Sequence, residues 1–149
     1  MMETETGSDL TQTALSDETR ARMEGVRRGL LHLHKALLDS ERVSYEQVYG
    51  RMTPGELLQQ LIHNPWFAWL RPFSEMVVRI DEMQEAGKGT KAAHPLPTEQ
   101  EAGDVLEQVR LLLNPAMGSD LSGGRYQEIL QKDTVVAAAH AEVAKQLSD

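Results

Sequence analysis

His140 and Asp133 occupy the positions where chemistry is most strongly called for. Tyr126, Leu130, Asp133, Ala137, His140, Ala144 and Leu147 recur at intervals of 4, 3, 4, 3, 4 and 3, so they share one helical face. That face is apolar apart from Asp133 and His140, and burying a carboxylate and an imidazole is costly unless they are paired, hydrogen-bonded or ligating. One chemistry that fits is a divalent ion, Zn²⁺ or Ni²⁺, held by His140 and Asp133 with His63 or His34 donated from a facing helix. The simpler expectation is a hydrogen-bonded structural histidine with Asp133 tilted towards solvent. His34 borders an apolar stripe through Leu31 and Leu38, and His63 precedes Trp66 and Leu70 at helical spacing. Glu56 and His63 repeat the spacing from carboxylate to imidazole seen in Asp133 and His140. His32 falls among Arg28, Lys35 and Asp39 on a polar face, and His94 lies in a loop beside Pro95. No Glu-x-x-His or His-x-x-x-His pair is present to hold a metal on one helix.

Trp66, Phe67, Trp69 and Phe73 lie within eight positions of one another. Such a cluster either fills a core with large rings or floors a ligand pocket. Core filling is the expectation for Trp69 and Phe73; Phe67 lies off the apolar stripes and is expected to be exposed or to reach a partner. Gly25, Gly29 and Ala36 lie along one side of the first helix. Each glycine inside a helix costs roughly 1 kcal/mol relative to alanine, which suggests close approach by another helix, from this chain or a second subunit.

Composition removes several classes. The chain has 149 residues, Lys and Arg totalling 15 against 23 Asp and Glu, a formal charge of −8 and a pI near 5.1. A non-specific nucleic-acid binder needs a basic surface, so none is expected. The absence of Cys excludes disulfides, thiolate metal sites and thiol nucleophiles. No apolar run reaches the length of a membrane span, and the polar, acidic start lacks a signal-peptide core. A cytoplasmic protein is expected. Phosphate-binding loops, dinucleotide fingerprints, nucleophile elbows and His-Glu-x-x-His are missing, and the glycines of 119–124 stand ahead of a helix with no strand or lysine to make a phosphate cradle. A phosphotransfer histidine followed by Lys three residues on is also missing: Val143 follows His140 and Leu37 follows His34.

The elements that must position these residues read as helices throughout. Residues 1–15 are polar and aperiodic, a disordered tail before one domain over 16–149. Ser16 caps a helix carrying Asp17 and Glu18 in its first turn and Met23, Val26, Leu30, Leu33 and Leu37 as its core stripe. The pattern fades near Ser40, which predicts roughly 38 Å of helix, followed by a short extra helix from Ser44 to near Gly50. Thr53-Pro54-Gly55-Glu56 is a capping box with proline at the first helical position. It opens a run in which Leu58, Ile62, Trp69, Phe73, Met76, Ile80 and Met83 trace one stripe and Trp66, Leu70 and Val77 a second. Pro65 and Pro72 interrupt it, and because the stripe keeps phase across both, one kinked rod from 54 to about 86 is preferred over a break near Asn64. Thr98 to Glu101 is a second capping box, opening a helix through Val105 and Val109 to Leu113. A last helix runs from about Arg125 to Leu147. The predicted fold is all-α: an antiparallel four-helix bundle with a long, proline-kinked second helix.

That layout, with Thr53 to His63 opening the second long helix and His140 in the last, resembles the DinB/YfiT-type helical bundles. The resemblance covers most of 17–147 and implies a metal-binding His on the second helix, matched by His63, and two on the last helix, of which His140 matches one. Position 136 is Val and position 144 is Ala, so the third ligand of that pattern is missing. The expected function is therefore a non-catalytic helical binding or interaction module, engaging a protein partner or a second copy. The alternative is a DinB-like bundle binding a metal or small ligand, with or without enzymatic activity.

Overall fold

The structure is a computed structural model that describes residues 15–86, 96–114 and 120–148. The expected tail to residue 14, His94 and the loop around it lie outside the described residues. Leu15, placed in that tail by its polar neighbours, is 6% exposed and belongs to the core. Among the described residues there are seven helices and no strand: α1 (Asp17–Tyr49), α2 (Pro54–His63), α3 (Pro65–Ala68), α4 (Arg71–Glu85), α5 (Glu99–Leu113), α6 (Asp120–Lys132) and α7 (Thr134–Ser148). No described helix is long and apolar enough to cross a membrane.

Helix α1 is the spine. Ser16 caps it by accepting from the Thr19 backbone N–H, and Asp17 and Glu18 face the positive end of its dipole. Met23, Val26, Leu30, Leu33 and Leu37 are all buried. The helix does not end near Ser40. It runs on to Tyr49, roughly 50 Å in all, and the expected extra helix is its continuation. The buried face persists at Glu41 and Tyr45, four and eight residues after Leu37, but its residues there are polar. Gly50, with φ +95°, stops the helix in a conformation that favours glycine.

The second rod is broken rather than kinked. Pro65 disfavours helical backbone at Asn64, which adopts φ −95° and ψ 124°. Asn64 then closes one helix and opens the next: its N–H donates to the Gln60 carbonyl, and its Oδ1 accepts from the Trp66 N–H at 2.9 Å. Successive three-residue bonds, Phe67 to Asn64 and Leu70 to Phe67, tighten the turn before α4 starts at Arg71 with Pro72 in its first turn. The break rotates the apolar stripe, so Leu58 and Ile62, expected in the core, are 55% and 52% exposed. Phe67, expected at the surface, is 2% exposed and lies beside Tyr45.

The last rod is broken too. Helix α6 starts at Asp120, within the segment expected as a glycine loop, and ends at Lys132. Asp133 then accepts from the N–H groups of Val135 and Val136 at 2.9 and 3.1 Å and caps α7. Ala144, expected on the buried stripe, is exposed; Val136 and Val143 are buried instead.

Helix α7 packs on α1 at the two glycines. A Cβ at Gly29 would stand 2.9 Å from Val143 Cγ2 and 3.5 Å from Val143 Cα, and one at Gly25 would strike the Gln146 side chain. The small-residue face of α1 is thus occupied within the chain at Gly25 and Gly29, and the helix that approaches there is α7. Helix α4 packs on α1 through Arg27–Asp81 and Gln84 to the Arg20 carbonyl, and Arg79 reaches Gln108 of α5. Helix α5 meets the start of α1 where Glu99 accepts from the Ser16 N–H and the Thr19 hydroxyl, and meets α7 where Arg110 donates to the Leu147 carbonyl.

Both capping boxes form. Thr53 and Glu56 exchange bonds at 2.8 and 3.1 Å, as do Thr98 and Glu101. Thr53→Ala and Thr98→Ala should each lower stability by about 1 kcal/mol in urea unfolding.

Candidate functional site

The polar continuation of the α1 face builds the site. Glu41 is 1% exposed, the one buried charged residue described. Its Oε2 accepts from the Trp69 indole N–H at 2.6 Å, and its Oε1 accepts from Arg125 Nε at 3.0 Å and from Arg125 Nη2. Arg125 also donates to Glu128, one turn on, and to Ser44 Oγ at 3.3 Å. Hydrogen bonding to Glu41 holds the Arg125 guanidinium firmly protonated. A buried carboxylate with three donors is the arrangement that offsets its desolvation.

Above this floor lies an open groove of about 1080 Å³. Glu41, Ser44, Gln47 and Val48 of α1 form one side; Pro65, Trp66, Ala68, Trp69 and Pro72 form the second; Gly124, Arg125 and Glu128 of α6 form the third. Both tryptophans of the chain line it. The Asn64 break makes this possible, because it turns a rod that would have buried one stripe into a corner that brings both indoles to the groove. Trp66 stands edge-on to Tyr45 and Tyr49, with ring centres 5.4 and 6.2 Å away, and its indole Nε1 is buried with no hydrogen-bond partner among the described residues.

Behind Trp69 lies a second polar pair. Tyr126, buried against Trp69 and Phe73, has its hydroxyl 2.6 Å from His140 Nδ1. Burial raises the tyrosine pKa, so the hydroxyl keeps its proton, and the imidazole tautomer sets which of the two donates. Burial also lowers the pKa of His140, and that of His34.

The residues singled out for a metal are therefore distributed as follows. His140 is bonded to Tyr126, Asp133 caps α7, His63 is exposed in the last turn of α2, and His34 is half-buried on α1. Among the described residues no three His, Asp or Glu side chains come together to share an ion. Glu41 and Arg125 were not anticipated. A carboxylate four residues beyond Leu37, on the core-facing side, was the available signal.

The two depressed histidines have a measurable consequence. The unfolded chain protonates near the ordinary value of 6.5, above the folded-state values of His34 and His140. Unfolding therefore takes up protons, and stability falls as pH drops from 7.5 to 5.5. His140→Gln, which keeps a hydrogen-bonding group opposite Tyr126 but does not titrate, should flatten that fall in thermal melts.

Comparison with protein-family models, with curated proteins and with solved structures finds no match to this chain. Fold and site together define an all-helical protein with a pinned, aromatic-walled groove.

Proposed function

We propose that this protein is a non-catalytic helical binding module whose receiving surface is the groove between Trp66, Trp69 and the Glu41–Arg125 pair. The observation that carries the reading is the construction of that groove: an open, mostly apolar cleft whose floor is fixed by a buried ion pair, as sites with a few placed polar groups require. Its charged groups are engaged with one another, which suits holding a partner rather than supplying a free base or nucleophile. The reading treats the helices as four rods of alternating direction: α1, the broken rod α2 to α4, α5, and the broken rod α6 to α7. The links from α1 to α4, α5 and α7 support that arrangement.

A fragment titration followed by tryptophan emission tests it, since both indoles lie in the groove. Saturable changes are expected with apolar, hydrogen-bonding fragments, and Ala68→Arg, at an exposed lining position, should abolish them. Fragments that seat elsewhere, or bind the variant equally well, would overturn the reading.

A further inference from the structure

We infer that two copies of this chain pair through helix α2, which packs antiparallel on its own image about a two-fold axis beside Gln59. The pairing is independent of the groove and rests on how α2 sits in the fold. None of its ten residues is buried. Its inner side meets the bundle through Leu57 and Leu61, partly buried against the core, and through Gln60, which accepts from the Tyr45 hydroxyl at 3.3 Å. Its outer side presents the exposed Leu58 and Ile62, one turn apart. Gly55 continues that side, and a Cβ there would meet nothing within 4 Å. The exposed Tyr49 borders it, lining a small hollow together with Glu56 and Gln59.

A second copy is the occupant because this face is complementary to itself. On a chain of net charge −8, α2 carries one carboxylate, Glu56, one imidazole, His63, and no Lys or Arg. Both are exposed, and at about 3.6 residues per turn they lie along the same edge of the apolar stripe. They stand about 5 Å along the helix on either side of the midpoint between Gln59 and Gln60. A two-fold axis through that midpoint sets each Glu56 level with His63 of the second copy, and each Leu58 beside Ile62 of the second copy. An isologous interface demands this reciprocity. An imidazole donates to a carboxylate whether it is neutral or protonated. Glu56 keeps Oε2 for that bond, since its capping contact to the Thr53 N–H uses Oε1. Parallel helices would instead set Glu56 against Glu56, so the charges also fix the direction. One short helix per copy makes a small interface, and the dimer is therefore weak and concentration-dependent.

Sedimentation equilibrium of the full chain, from micromolar to millimolar protein, tests the pairing. The average mass should rise from the monomer's 16.6 kDa towards twice that value. Ile62→Glu, at an exposed position, should leave the circular dichroism unchanged and the protein monomeric throughout. His63→Glu sets carboxylate against carboxylate twice across the axis and should weaken the dimer about tenfold. The register has its own test, because the chain has no cysteine. Gln59→Cys, nearest the axis, should form a disulfide between copies under mild oxidation much faster than Gly103→Cys, which sits exposed on α5 with open space around its Cβ. A monomer at every concentration would overturn the inference, as would a dimer that persists in Ile62→Glu. A dimer whose Gln59→Cys links no faster than Gly103→Cys would overturn it too. If Ile62→Glu fails to fold, His63→Glu and Gln59→Cys decide between the same outcomes.

Discussion

Glu41→Ala is expected to lower stability by about 3 kcal/mol, the low end for breaking a buried ion pair. The loss has two sources: Arg125 and the Trp69 N–H are both left facing a void where their acceptor was. Arg125 is 29% exposed and can turn partly to water, which keeps the loss from being larger. In a domain of this size that corresponds to a melting temperature lower by roughly 10 °C. Glu41→Gln retains an acceptor of the same shape and should lose only about half as much. Arg125→Ala should approach the cost of Glu41→Ala, because it strands the carboxylate, and the double variant should cost less than the two added together. Additive losses in urea unfolding would mean the pair does not act as a unit.

Gly29→Leu is the second large effect. Its Cβ alone would sit 2.9 Å from a Val143 methyl and 3.5 Å from the Val143 backbone. Relief requires α7 to move off α1, so a loss of about 3 kcal/mol is expected. Gly25→Ala provides the contrast. Its Cβ meets only the end of the flexible Gln146 side chain, which can swing aside, and alanine favours the helix by roughly 1 kcal/mol. That variant should be neutral or slightly stabilising, and the difference between the two separates backbone approach from side-chain approach.

Three helix starts were legible because their signals are local. Ser16, Thr53 and Thr98 each carry their own acceptor, and the capping boxes need only three further residues. The ends of the rods were not, because there two local signals conflict. The apolar stripe keeps phase across Pro65, but Asn64 can satisfy both freed helix ends with its own side chain and backbone, so the break carries little cost. Asp133 read as a buried charge only on the assumption of an unbroken helix; the break makes it a cap. Phe67 followed from the same assumption. Glu41 was hidden for a different reason. A buried carboxylate is tolerated only with its partners, and Arg125 stands 84 residues away with no local trace of the pairing. The tryptophan cluster drew notice from sequence alone, but the groove it lines needed that long-range pair.

Binding in the groove would be reported by the side-chain nuclear magnetic resonance signals of its two indoles. In the free protein the Trp69 N–H, held by a buried carboxylate, should resonate apart from the Trp66 N–H, which has no partner among the described residues, and exchange more slowly with solvent. On titration with a seated fragment, both indole signals and the Arg125 Nε–H should move together, while the backbone amides of α5 stay in place. A ligand that saturates the protein yet leaves both indole signals unmoved, with its shifts confined to another face, would contradict it.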